Sequence, residues 1–373
     1  MRNKHTKQAK SWVIKIGSAL LTKDGKGLDY TAIEDWTQQI AELRQQGKEV
    51  ILVSSGSVAE GMSRMGWTKR PTKLAELQAA AAIGQTGLIE TYEAQFKKHN
   101  IQAAQILLTH DDVSNRQRYL NARNTLRALL KFKALPIINE NDTVALEEMR
   151  LGDNDTLAAL VANLVEADLL VILTDQEGLF TKDPRHHEDA TLISEESAAN
   201  VELQNYVGDI ATSLGSGGMA TKLTAAQRAA NSGCATVIAS GKEENVLYRL
   251  SQGEEIGTLL TPEKTPLAAR KQWIVGQVQA CGSLYLDEGA SRAIQRQGTS
   301  LLPIGVDKLE GQFNRGDIVD CKSPDGQVIA RGLVNYSSKE ISKIFKQPSN
   351  KIIEILGYAS QVELIHRDDL VIL

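Results

Sequence analysis

The 373-residue chain has little of what marks several functional classes. Its three cysteines, Cys234, Cys281 and Cys321, are odd in number, far apart and form no metal-type pair. That argues against a disulfide framework and fits a reducing cytoplasm. Its six histidines show no zinc spacing, and His186-His187 falls in a polar loop. No apolar run approaches the length of a membrane helix. Trp12–Ile16, which follows ten basic and polar residues, is too short for the core of a signal peptide. A formal charge of −4 supplies no general attraction to nucleic acid or to anionic membranes. There is no internal repeat and no low-complexity tract. What is present is ordinary for a soluble protein, with 42% hydrophobic and 24% charged residues. The length suits two domains, or one large and one small.

Up to about residue 260, strand-like and helix-like segments alternate, which predicts an α/β unit with a parallel sheet covered on both faces. Strands are expected at Trp12–Ile16, Val50–Val53, Ala103–Leu108, Leu135–Ile138, Leu169–Leu173 and Thr236–Ala239. Helical spacing follows Ile33, covers about 72–98 and 116–132, resumes from Leu157 and again from Ala220. Residues 263–279 read as a polar linker with Pro266. Beyond it, short β-like runs broken by turns such as Asn314–Asp317 predict a small, mainly β domain over 280–360. Residues 361–373 are left as a C-terminal segment.

Asn139-Glu140-Asn141-Asp142 follows an apolar strand, and Gly152-Asp153-Asn154-Asp155 opens the next helix. Asp and Asn at a helix start satisfy orphan amides and suit the positive end of the dipole. An acidic, capped surface loop would use the same side chains. Their position beside the carboxyl end of a strand, however, is where open α/β sheets bind ligands. Three further strand ends lead into Gly/Ser turns: Lys15-Ile16-Gly17-Ser18, Ser54-Ser55-Gly56-Ser57 and Gly215 to Lys222. Small residues let backbone amides approach an anion, and a following helix start adds its dipole. Lys15 stands inside an apolar strand, and Lys222 at a helix start, where a cation is disfavoured unless an anion joins it. Gly215 to Lys222 departs from Walker A spacing. His366-Arg367-Asp368 lies too near the end of the chain for a protein-kinase catalytic loop. Lysines, glycine turns and a carboxylate/amide loop together suggest phosphoryl transfer. A carboxylate acceptor would need no general base, which accommodates the lack of a catalytic histidine.

In order along the chain, Lys15-Ile16-Gly17-Ser18, Ser54-Ser55-Gly56, Ile138 to Asp142, Gly152 to Asp155, Leu173-Thr174-Asp175 and Gly217 to Lys222 resemble the motifs of the amino-acid kinase superfamily. Asp287 to Ala290, Ser300 to Pro303 and Phe313 to Asp317 resemble an appended PUA domain. Ser216 stands where that glycine loop more often has Thr, and Ser57 where Ala is common. The resemblance is closest to the branch that phosphorylates L-glutamate in the first step of proline synthesis. It implies an amino-acid kinase domain over 1–262 and transfer from ATP, with Mg²⁺ on the nucleotide, to the γ-carboxylate of glutamate. By the same resemblance Lys15 and Lys222 would neutralise phosphate charge and Asp155 would hold them in register. Ser55, Asp142 and Asn154 would bind glutamate. Thr174, Asp175, Ser216, Gly217, Gly218, Met219, Ala220, Thr221 and Lys222, with Lys15, would line the ATP site. It further implies proline inhibition near 109–150, a homo-oligomer, and hand-over of a labile product to a glutamyl phosphate reductase, while the composition by itself points to a cytoplasmic protein away from the membrane.

Two other readings remain open. Aspartate, acetylglutamate or a nucleoside monophosphate could be the acceptor on the same fold. An RNA-binding role through the PUA-like domain is the second, but residues 280–373 carry 11 Lys and Arg against 12 Asp and Glu, without a net cationic footprint.

Overall fold

The computed structural model describes residues 2–23, 26–109, 111–112, 115–145, 154–207, 218–265, 269, 274, 280–359 and 361–373. The chain divides into two compact units, Met1–Pro266 and Leu267–Leu373.

The first unit is built on an eight-stranded sheet of β1 (Ser11–Ile16), β2 (Glu49–Val53), β3 (Ala103–Leu108), β4 (Leu135–Glu140), β5 (Leu169–Thr174), β6 (Glu195–Ser197), β7 (Ala235–Ser240) and β8 (Thr258–Thr261). Their order is β3-β4-β2-β1-β5-β7-β8-β6. Neighbours from β3 to β7 are parallel, and β8 runs antiparallel to β7. The direction of winding changes between β1 and β5, so the carboxyl ends of these central strands form the crevice such sheets offer to ligands. The expected strands are present, with two additions. In sheet order β8 and β6 lie outside β7, and they are too short or too polar to stand out by pattern.

Strand side chains alternate between two covered faces. Trp12, Ile14 and Ile16 join Val50, Leu52, Leu135 and Ile137 in one core layer. Val13 joins Ile51, Val53, Ile138, Leu170 and Ile172 in the other, with Leu157 and Val161 of the helix Asn154–Val165 and Leu223 of the helix Met219–Asn231. Lys15 is two residues on from Val13, so period-two alternation aims it into that second layer, towards those two helices. Ile33, Trp36, Ile40 and Leu43 form the buried stripe of the helix Tyr30–Gln45, whose start Asp29 caps by accepting from the Thr31 and Ala32 amides.

A helix absent from the sequence reading, Ser57–Arg64, follows β2 directly. Its pattern was obscured because it packs through glycine and alanine and not through large apolar residues. It lies against Leu74–Lys98 so closely that a Cβ built at Gly84 would stand 1.8 Å from the Ser57 carbonyl oxygen. One built at Gly61 would stand 1.7 Å from that of Ala80. Both obstacles are backbone, so neither can rotate away. Gly84→Ala is therefore expected to cost about 3 kcal/mol by overpacking, measured as a lowered urea midpoint at unchanged slope. A midpoint equal to wild type would show that the two helices can part without penalty.

In the second unit, β9 (Gly282–Leu286), β10 (Val306–Gly311), β11 (Ile318–Lys322), β12 (Val328–Leu333) and β13 (Leu370–Ile372) form a sheet ordered β10-β9-β11-β12-β13. Leu284, Leu286, Val319, Cys321 and Ala330 pack its core with Phe313, Tyr336 and Ile341. Residues 361–373, expected as a separate segment, instead supply the edge strand β13, which pairs with β12. Three residues of β-pattern at a chain end carry too little periodicity to reveal this beforehand. The expected linker over 263–279 lies largely outside the described residues.

Candidate active site

Lys15, Asp155 and Lys222 are distant in sequence and meet at one buried point. Lys15 comes from the carboxyl end of β1, Asp155 from the first turn of Asn154–Val165, and Lys222 from the first turn of Met219–Asn231. The Lys15 ammonium lies 2.5 Å from Asp155 Oδ1, and that of Lys222 donates to Asp155 Oδ2 at 3.0 Å. Asp155 is wholly buried, and both lysines are only 5% exposed. Burial alone would raise the Asp155 pKa. The Lys15 and Lys222 ammonium groups outweigh it and hold the carboxyl below its ordinary range, at about 2. One carboxylate between two ammonium groups leaves a formal charge of +1 among the three, at the starts of two helices whose dipoles add further positive potential. Among these three groups the balance is cationic, which favours an anion beside them.

On one side of this centre the next residue, Asn154, fastens the helix start to two strand ends. Its Nδ2 donates to Ser54 O at 2.6 Å, Ser55 Oγ at 3.0 Å and Asn139 Oδ1 at 2.9 Å. Asn139 Nδ2 in turn donates to Gln85 Oε1 at 2.7 Å. Ser57 Oγ donates to Asp142 Oδ2 at 3.1 Å. The turn 54–57 thus gathers Ser55, Asn154 and Asp142, the three residues that the family resemblance groups as acceptor-binding. Gly56 takes φ +102 in this turn, a conformation that penalises any other residue. A cleft of about 340 Å³ opens alongside, lined by Gln85, Gln105, Glu140, Asn141, Asp142 and Thr143 among others.

On the other side, Thr174 ends β5 and its Oγ1 donates to Asp175 Oδ1 at 3.1 Å. Gly17 N donates to Leu173 O at 3.2 Å, which seats the turn after β1 against the end of β5. Gly218 precedes the helix Met219–Asn231 in extended conformation, and Thr221 Oγ1 donates back to Gly218 O at 2.7 Å. Met219 and Ala220 are the first two residues of that helix. Ser216 and Gly217 lie outside the described residues, as do Gly152, Asp153 and 146–150 of the segment expected to respond to proline.

Two features of the site differ from expectation. Asn139 and Glu140 are the last residues of β4, not a loop after it, because their backbones continue the pairing with Leu107 and Leu108 of β3. Asn139 is buried and organises Asn154, a role that its motif position alone did not suggest. Gln85 follows the run Ala79–Ala82 by three residues and stands between Gly84 and Thr86, where nothing in the local pattern marks it as a partner for Asn139.

Residues 10–240 match the family described as Amino acid kinase family, and residues 282–356 match the PUA domain. A glutamate 5-kinase of Thioalkalivibrio sulfidiphilus (strain HL-EbGR7) is 60% identical over 366 residues, 98% of each chain. One of Methylococcus capsulatus (strain ATCC 33009 / NCIMB 11132 / Bath) is 60% identical over 360 residues, 96% of each chain. One of Marinomonas sp. (strain MWYL1) is 60% identical over 373 residues, the full length of both. With its lysine–aspartate–lysine centre at the switch point of a parallel sheet, this chain belongs to the glutamate 5-kinase family of amino acid kinases.

Proposed function

We propose that the protein transfers the γ-phosphoryl group of ATP to the γ-carboxylate of L-glutamate, forming γ-glutamyl phosphate and ADP as the first step of proline synthesis. The observation that carries this reading is the adjacency of Asn154 and Asp155. One residue faces the turn 54–57, and the next joins the two lysines. An acceptor held by Ser55, Asn154 and Asp142 would have its carboxylate directed at a phosphoryl group neutralised by Lys15 and Lys222. The nucleophile is already ionised at neutral pH, so no side chain has to take a proton. The chain's contribution is then orientation and charge, which phosphoryl transfer chiefly requires. Thr174, Asp175 and Gly218 to Lys222 would line the nucleotide's side, and the resemblance adds Ser216 and Gly217 to that role. Mg²⁺ bound to the nucleotide would neutralise further phosphate charge. Asp155 commits both carboxylate oxygens to lysines, so coordination by phosphate and water suits this site.

The same reading extends to feedback inhibition by proline near the acceptor pocket and to homo-oligomeric assembly. It also includes action in the cytoplasm and delivery of the labile acyl phosphate to a glutamyl phosphate reductase. No helix among the described residues is long and apolar enough to cross a membrane.

The test is ADP release with glutamate, aspartate, acetylglutamate and UMP in parallel, with hydroxylamine present to trap an acyl phosphate. Glutamate-dependent hydroxamate is expected, and release driven best by another acceptor would overturn the assignment. Asp142→Ala is expected to raise the glutamate KM at least tenfold, the effect of losing a charged partner for the α-ammonium. An unchanged glutamate KM would remove Asp142 from the acceptor site.

A further inference from the structure

Residues 2–10 are mostly polar and basic, yet the segment is tied to the sheet. Arg2 is only 4% exposed, and Thr6 is fully buried. The Arg2 guanidinium donates to three backbone carbonyls: Ser194 at 2.7 Å, Gly257 at 3.3 Å and Ile256. Ser194 precedes β6, and Ile256 and Gly257 precede β8, so one side chain ties together the starts of two neighbouring strands. Its Nη1 and Nη2 donors are taken up in this way, because a planar fork can reach several carbonyls at once, while its buried Nε has no partner among the described residues. At its other end the segment is held by Lys48, whose ammonium donates to Lys7 O at 3.1 Å and Ala9 O at 2.7 Å and lies 5.1 Å from the centre of the Trp12 ring.

The two fastenings sit at opposite edges of the sheet. Lys48 and Ala9 are at the amino end of β1 and β2, whereas the Arg2 carbonyls are at the carboxyl edge. Gly257, at φ +66, presses on the end of β7, where a Cβ on it would stand 2.1 Å from Ile238 O and 2.9 Å from Ala239 Cα. In the β5–β7 register Ala239 is opposite Leu173 and Ser240 opposite Thr174, and Gly241 N donates to Thr174 O at 2.8 Å. Arg2 is thus linked by short, rigid backbone contacts to the strand end that carries Thr174 and Asp175.

We infer that Arg2 is a positioning residue for the nucleotide: it clamps the 256–257 turn against β7 and thereby sets the strand ends against which ATP binds. The inference rests on the reading of Thr174 and Asp175 as nucleotide-lining. Without the clamp, the turn gains freedom and the β7 end loses its backstop. The acceptor pocket, on the far side of β1, keeps its own supports.

Steady-state kinetics and thermal melts of the full-length protein test this with four variants. Arg2→Met is expected to raise the ATP KM roughly three- to tenfold, the scale of losing about one net hydrogen bond's worth of positioning, with kcat and glutamate KM nearly unchanged. Arg2→Lys, a single donor on a flexible stem, should fall between wild type and Arg2→Met, and it serves if Arg2→Met fails to fold. Lys48→Met loosens the same segment at the distant edge, and should lower the melting temperature without moving the ATP KM. An ATP KM unaffected by both Arg2 variants would overturn the inference. So would an equal rise in Lys48→Met, which would reduce the segment to general stabilisation. Thr174→Ala separates the two readings: if it leaves the ATP KM unchanged, the nucleotide assignment itself is wrong, whatever Arg2 does.

Discussion

Lys222→Ala is expected to lower kcat by about a thousandfold while the glutamate KM shifts by no more than about threefold. The asymmetry follows from where the charge acts. In the ground state the lysine is one of two cations sharing Asp155, at 3.0 Å, and in the proposed reading the acceptor is held by other groups across the 54–57 turn. As the phosphoryl group moves, negative charge spreads over its oxygens, and a buried ammonium beside them is worth far more than in water. Removal also leaves Lys15 and Asp155 as a neutral pair, which has less reason to accept an anion. The check is a full kcat and KM determination in both substrates. Turnover within about tenfold of wild type would take Lys222 out of the chemistry.

Asp155→Asn should damage folding and catalysis together. It leaves two buried ammonium groups facing an amide that can accept from one of them but balances neither charge. Breaking a buried ion pair from one side costs about 3–5 kcal/mol. The expected result is a lowered denaturation midpoint together with a kcat loss comparable to that of Lys222→Ala. Sulfate or phosphate should restore part of the lost stability, because an added anion replaces the missing charge. A variant as stable as wild type would mean that the lysines reach solvent more readily than their burial indicates. The pH dependence has a definite sign. The Asp155 carboxyl titrates lower in the folded protein, at about 2, than the ordinary value near 4. Its stabilisation is complete above about pH 4 and lost as pH falls towards 2. Asp155 therefore contributes no acid limb to the activity profile between pH 5 and 8. A limb in that range persisting in wild type must be assigned elsewhere.

Much of the site was legible in residue order because its parts are strand ends and helix starts, which have local signatures. Lys15 was conspicuous as a charge within Trp12–Ile16, and Lys222 as a cation at the wrong end of a dipole. The helix Ser57–Arg64 was not legible, because its packing depends on the absence of side chains at Gly61 and Gly84, and no periodic pattern records an absence. Asn139 was hidden for another reason. Its amide matters through Gln85, more than fifty residues earlier in the chain, and Asn154, fifteen later, and neither spacing has local meaning. Arg2 belongs with it: a basic N-terminus reads as solvated until the chain brings Ser194 and Gly257 to it.

By itself the sequence determined the inventory and its order: alternating elements, small-residue turns after strands, an acidic/amide pair of segments, and a β-rich tail. Those properties are local, set by side-chain periodicity and backbone preference within a few residues. Only the tertiary structure decided that Lys15 and Lys222 share one carboxylate. That requires β1 and β5 to be neighbours, Lys15 to fall on the Val13 face, and two helices to begin at the same sheet edge. Charges attract usefully over only a few ångströms, and which ones come that close is a property of strand order and register.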